Sequence, residues 1–233
     1  MSYRLWMFAC IIVAGVIVGC STDDTIAPSS NLSVTCRIDN VTTSSVGLKG
    51  AHTAGDKADS VIVKRVRVLV ERLVLHPSNA NDSADDRSIK AGPFVFLADS
   101  SGTRVVASVN LTPGMYDKLK YEVHRFSSSE VPSYQNDPQF ADFVSTDRYS
   151  IIIDGHLVRS GARKAFQYKS DITSNIELPL ASFTVPATGS VSANVVFSTA
   201  KAFLGNGQML DPTDPKNESA IDNNLKAAFR LNP

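Results

Sequence analysis

Of the side chains in this sequence that could take part in chemistry, the thiol of Cys20 has the most specific surroundings. Arg4 supplies a basic start, Leu5 to Gly19 runs for 15 residues without Asp, Glu, Lys or Arg, and Ile17-Val18-Gly19-Cys20 resembles a lipobox, in which small residues precede an acylated cysteine. Cys20 is therefore the expected lipidation site, with residues 1–19 removed as a signal peptide. A membrane-spanning helix is the rival reading, but crossing the hydrocarbon takes about 20 apolar residues and this run is shorter. A plain secretory signal with an incidental Cys20 is the other alternative. Position 21 is Ser, not Asp, so a lipidated chain is expected at the outer membrane if the cell is Gram-negative, facing the periplasm or the exterior.

The other reactive residues are scattered. The four histidines, His52, His76, His124 and His156, stand far apart and form no HExxH or related metal-binding spacing. His124 falls on the polar parity of its strand, where a solvent-facing side chain is expected. There is no GxSxG elbow, and Gly205-Asn206-Gly207 lacks the rest of a phosphate-binding loop. Once Cys10 leaves with the signal and Cys20 carries lipid, Cys36 is the one remaining thiol, so neither a disulfide nor a Cys/His zinc cage is expected. Cys36 shares an alternating face with Leu32, Val34 and Ile38, which predicts a buried, inert thiol.

Two constellations remain. Asn206, Asp211, Thr213 and Asp214 place oxygen donors close together in a Gly-containing loop, the donor type that Ca²⁺ takes. Turn formation at Asp211-Pro212 and helix capping at Asp214-Pro215 account for the same residues, and no metal or other cofactor is assigned. Asp82, Asp85 and Asp86 are read in the same way, as residues that solvate a loop. Tyr134, Phe140, Phe143 and Tyr149 gather in the otherwise polar segment 127–150. They are candidate contacts for a ligand such as a sugar or haem, or else a hydrophobic satellite that pins the segment to the body. The only Trp, Trp6, lies in the expected signal, which removes one platform for carbohydrate.

Positioning such residues requires a folded body. Removing residues 1–19 from the 233 leaves 214, enough for a substantial core. With 43% hydrophobic and 20% charged residues, the composition is that of a globular chain. Without Arg4 the mature chain carries 22 basic and 23 acidic residues, a formal charge of −1, which offers nothing to attract nucleic acid. Residues 20–31 are polar and contain Pro28, as a flexible tether would, and residues 32–233 read as a single domain.

The spacing predicts strands wherever apolar residues alternate: Leu32–Ile38, Ser60–Leu75, Pro93–Leu97 and Thr103–Val109 about the turn 99–102, Tyr116–Phe126, Tyr149–Asp154, Phe166–Ser170, Ile172–Leu180 and Val191–Ser198. A short strand at Ser45–Leu48 and a turn at Gly155 are also expected. Along Ser60–Leu75 the apolar parity changes near Val63-Lys64 and again near Glu71-Arg72-Leu73, which predicts two β-bulges. Segments 78–91 and 127–148 read as polar loops, the second with a helical turn at Gln139–Phe143. At the end of the chain Asp214, Pro215 and the stripe Ile221, Leu225, Ala228 and Phe229 predict one amphipathic helix over about 215–230. The expected fold is thus mainly β, an antiparallel Greek-key β-sandwich with one C-terminal amphipathic helix.

The lipobox, the strand Val61–Leu75, the lead Leu111-Thr112-Pro113-Gly114-Met115-Tyr116 into Asp117-Lys118-Leu119-Lys120-Tyr121, and the strands from Ser150 to Phe197 together resemble a family of uncharacterised bacterial envelope lipoproteins with an L-P-x-G-x-Y motif. Thr112 before Pro113 departs from that motif, and Asp39-Asn40-Val41 stands where the family has Asp-Ala-Pro. The resemblance covers about Leu32 to Ser198 and implies a β-rich envelope lipoprotein; it carries over no catalytic residue. The expected function is a membrane-anchored, non-enzymatic binding or structural module of the envelope, with another envelope protein as a candidate partner. The alternative is an extracytoplasmic enzyme or small-ligand receptor with its site on the 127–150 segment.

Overall fold

The computed structural model describes residues 30–40, 58–80 and 86–232. Cys20, the signal peptide, the tether up to residue 29 and the strand expected at Ser45–Leu48 lie outside them, as do His52, Asp82 and Asp85. One sheet contains β1 (Leu32–Asp39), β4 (Arg104–Val109), β9 (Val191–Ser198) and β12 (Phe229–Asn232), in the order β12-β9-β1-β4. A larger sheet contains β2 (Ser60–Pro77), β3 (Arg87–Asp99), β5 (Gly114–Val123), β6 (Ile151–Arg159), β7 (Ala162–Ser170) and β8 (Ser174–Val185). Its order is β7-β6-β2-β5-β8, with β3 also paired to β2. A small hairpin, β10 (Leu204–Gly205) with β11 (Gln208–Met209), and the helices α1 (Val131–Tyr134), α2 (Thr199–Phe203) and α3 (Glu218–Ala228) complete the described chain. Among the described residues no helix is long and apolar enough to cross a membrane.

The two sheets share one core. Leu32, Val34 and Cys36 of β1 and Ala193, Val195 and Phe197 of β9 are buried in it together with Val66, Val68 and Val70 of β2. Phe229 of β12 crosses between the layers: its ring meets Phe96 and Tyr121, from β3 and β5, edge-on at 6.1 and 5.5 Å. Cys36 is fully buried, as its alternating neighbours predict, and burial pushes its thiol up, well away from the thiolate form.

The mainly β, antiparallel design holds with one departure, since β1 and β9 run parallel. A pairing between segments so distant in sequence is free of the hairpin constraint that fixes neighbours antiparallel.

Strand β2 organises the larger sheet. Over Arg65–Leu75 it pairs with β3, while β6 takes Ser60–Val68 and β5 takes Val70–Pro77 along its other edge. Its ladders slip between Val63 and Arg65 and between Val70 and Arg72, the two places where the apolar parity breaks in the sequence.

Several boundaries differ from the sequence reading. Strand β3 begins at Arg87, inside the expected loop, and continues through Gly92 and Pro93. These two residues fall between the pairs Arg72–Ala91 and Val70–Phe94, at a bulge, where a proline needs no ladder donor. The turn after β3 joins two sheets and is no hairpin, because β4 pairs with β1.

Gly155 lies inside β6, where an added Cβ would come within 2.5 Å of the Ile62 carbonyl oxygen and 2.8 Å of the Phe166 ring. The reversal occurs at Ser160-Gly161, whose φ values of 49° and 78° suit a two-residue hairpin loop. At the C-terminus a 3₁₀ turn over Pro215–Asn217 leads into α3, with the Asp214 carboxylate accepting the Lys216 N–H at 3.0 Å. The helix stops at Ala228, and Phe229–Asn232 pairs with β9 as an edge strand. Helix α2, which the sequence reading lacks, packs beside α3 through Asn224, whose side chain donates to the carbonyls of Ala202 and Leu204.

Candidate functional site

Leu69 marks the point on β2 where β6 gives way to β5. Its N–H donates to the Ser150 carbonyl at 2.8 Å, and its carbonyl accepts the His124 N–H at 3.0 Å. Between those two residues the chain makes an excursion from the sheet, the segment that the aromatic residues single out.

Phe126, Phe140 and Phe143 are buried there with Leu69 and Ile152, forming a satellite core on the face of the sheet away from the main one. Tyr134 stacks on Phe126 at 4.7 Å, and both rings meet Phe140 edge-on. Tyr149 donates to Asp147 at 2.9 Å and lies under the Lys169 ammonium at 4.9 Å. Of the four candidate ligand contacts, Phe140 and Phe143 are thus committed to packing, whereas Tyr134 and Tyr149 keep part of their surface. The helical turn expected at Gln139–Phe143 is a 3₁₀ turn over Pro138–Phe140, capped by the Asp137 carboxylate. Asp142 ties the segment down by an ion pair with Arg67, which also reaches Asp154 at 3.2 Å.

The same excursion assembles a polar cluster that crosses three elements. Against β5, Glu71 is the extra residue of a β2 bulge, between the pairs Val70–Val123 and Arg72–Glu122, and it is paired in neither ladder; a bulge turns such a side chain out of the regular alternation. His124 follows the last residue of β5, with its ring edge-on to Phe126 at 6.1 Å. Glu130 precedes α1 and accepts hydrogen bonds from the Ser127 N–H at 2.8 Å and hydroxyl at 2.6 Å. His124 Nε2 lies 3.1 and 3.2 Å from the two Glu130 oxygens.

One donor atom from each of Glu71, His124 and Glu130 falls within 4.8 Å of the others. The hydrogen bond from the Ser127 hydroxyl, more than offsetting burial, and the adjacent His124 hold the Glu130 carboxyl below the usual carboxylate range. His124, expected to face solvent, is in fact only 27% exposed at its side chain. The parity break at Glu71-Arg72-Leu73 marks the bulge that aims Glu71, but no spacing in the sequence connects it to His124 and Glu130.

The other candidates resolve into structural positions. Asp211 takes the N–H and hydroxyl of Thr213 on one carboxylate oxygen, each at 2.7 Å, and Arg159 on the other at 2.5 Å. Asn206 adopts a left-handed φ of 51° in the β10–β11 hairpin. Asp86, expected to solvate a loop, is buried between His76 at 2.7 Å and Lys120 at 3.2 Å. That correction follows from β3 starting one residue later, which brings Asp86 onto the sheet.

A cleft of about 460 Å³ lies where β2 ends and β5 begins, lined by Pro77, Arg87, Pro113, Met115 and Tyr116 among others. Met115 is 57% exposed. The Tyr116 hydroxyl donates to the Thr112 carbonyl at 2.8 Å, closing the Thr112-Pro113-Gly114 turn from inside. Comparison with protein-family models, with curated proteins and with solved structures finds no match to this chain.

Proposed function

We propose that this chain is an envelope lipoprotein, anchored through a lipid on Cys20, whose β-sandwich serves as a non-enzymatic binding or structural module. The observation that carries the reading is the uncharged run from Leu5 to Gly19 ending at Cys20 behind one basic residue. Asn31 supports it, because the fold grips the chain there: its side chain exchanges hydrogen bonds with both the N–H and the carbonyl of Leu111, at 2.9 and 2.8 Å. The residues between Cys20 and that grip are the proposed tether, and the outer membrane is the proposed location in a Gram-negative cell.

Greek-key connectivity belongs to the same proposal, supported by the β3–β4 and β8–β9 connections, each of which passes from one sheet to the other. So does membership of the L-P-x-G-x-Y envelope family. The Tyr116–Thr112 hydrogen bond gives that motif a structural purpose, in the manner of a tyrosine that closes a strand corner. Met115 beside it, exposed and apolar at the rim of the cleft, is the proposed contact for another envelope protein.

Two experiments test the reading. Wild-type protein is expected in the membrane fraction and released only by detergent, with Cys20→Ser lost from that fraction or held as precursor. A photo-crosslinking residue at Met115 is expected to yield a discrete protein adduct in cells; no adduct at that position removes the cleft from the proposal.

A second reading, an extracytoplasmic enzyme or small-ligand receptor using the 127–150 segment, is favoured by one observation: Glu71, His124 and Glu130 converge at its base.

A further inference from the structure

We infer that Glu71, His124 and Glu130 form a binding site for one divalent first-row transition cation of the zinc type. This assignment is independent of the membrane anchor.

The donors are two carboxylates and an imidazole, drawn from the β2 bulge, the end of β5 and the residue before α1. A hydrogen-bonded His124–Glu130 pair alone leaves the cluster incomplete. Glu71 Oε2 is buried and has no hydrogen-bond partner among the described residues. A buried carboxylate oxygen without a donor is costly, and a second carboxylate close by makes it more so. The neighbouring Arg72 directs its guanidinium to Glu122, at 2.6 and 3.2 Å. A dication among the three donors removes both costs, because two carboxylates and a neutral imidazole balance its charge.

Size and donor type narrow the ion. A tetrahedral cation about 2.1 Å from each donor sets the donors about 3.4 Å apart. Donor atoms already within 4.8 Å of one another are close to that spacing before any ion is present. Imidazole suits zinc, copper, nickel and iron, whereas Mg²⁺ and Ca²⁺ are satisfied by oxygen and waters. Three protein donors on a half-buried site leave a fourth position for water or an anionic ligand, the open form of a zinc site. The hydrogen bonds from Ser127 to Glu130 and the Phe126 ring against His124 hold two of the donors in place before the ion arrives.

The test titrates the detergent-solubilised full chain, stripped with chelator, with Zn²⁺ by calorimetry and with Co²⁺ by visible absorption, using Mg²⁺ and Ca²⁺ as hard-ion controls. The expected result is one Zn²⁺ per chain, a rise in Tm on binding and a Co²⁺ spectrum with an imidazole donor. Glu71→Gln and His124→Asn should each weaken binding by at least about tenfold and abolish the Tm rise. Both variants are close in size to the native residue, and their melts without metal show whether they fold.

The assignment is overturned by an absence of saturable one-to-one binding, by Ca²⁺ binding as well as Zn²⁺, or by unchanged affinity in a folded Glu71→Gln or His124→Asn chain. That last result would place the ion outside the cluster of Glu71, His124 and Glu130.

Discussion

The side chain of Asn40 grips the backbone of Val63 at both of its polar groups: Nδ2 donates to the carbonyl at 2.7 Å and Oδ1 accepts the N–H at 2.9 Å. Val63 stands at the first bulge of β2, beyond Arg65 where the β3 ladder ends, and the amide side chain takes up its backbone N–H and carbonyl there. The same Oδ1 accepts the Thr199 hydroxyl at 2.9 Å, so Asn40 joins the end of β1, the first part of β2 and the start of α2. Asn31 does equivalent work at the other end of β1, on Leu111.

Replacing Asn40 with Ala leaves two partly buried backbone groups without partners. The expected cost is about 1–3 kcal/mol, read as a lower urea midpoint at unchanged m-value. An unchanged midpoint would mean that water replaces the amide at no loss.

Asp154 makes acid stability site-specific. Burial alone would raise its carboxyl, but hydrogen bonds from Gln167 and Arg65 and the charges of Arg67 and Arg65 outweigh that and hold it below the usual range. A carboxyl with a lower pKa in the folded chain binds fewer protons there than when unfolded. Its contribution is therefore complete above the unfolded value of about 3.9 and is lost as pH falls through the folded value. Asp154→Asn should reduce stability at neutral pH and flatten the acid limb of the urea midpoint plotted against pH. An acid limb identical to wild type would transfer the effect to other carboxylates.

The C-terminal helix is docked through Ile221, Leu225 and Ala228, all fully buried, and through the Tyr168 hydroxyl, which donates to Asp222 at 2.8 Å. Leu225→Ala should cost about 2–5 kcal/mol by opening a cavity between α3 and the sheets. Truncation after Asp211 removes β12 as well, and with it the Phe229 ring that joins the two layers. Loss of the cooperative melt is expected; a truncated chain that keeps its midpoint would show the helix to be an appendage.

Alternation made most strands legible, and where it broke, at Val63-Lys64 and Glu71-Arg72-Leu73, it located the bulges. What stayed hidden depends on partners distant in sequence. Nothing local distinguishes Gly155 in a strand from Gly155 in a turn, because the reason for a glycine is the Ile62 carbonyl and the Phe166 ring beside it. Phe229 fits the helical stripe, yet its backbone finds β9. The aromatic residues marked 127–150 as the segment to inspect, but most of that signal was packing. The polar cluster at its base takes Glu71 from another strand, so no spacing in the sequence reveals it.

Anchoring through Cys20 is the central claim, and the mass of the N-terminal peptide of the protein purified from membranes tests it most directly. The account predicts a mature chain that begins at Cys20 and carries the mass of a thioether-linked diacylglycerol, with or without an N-acyl chain. An unmodified N-terminus at any other residue, or an intact residue 1–19 segment on protein recovered from the membrane, would contradict it.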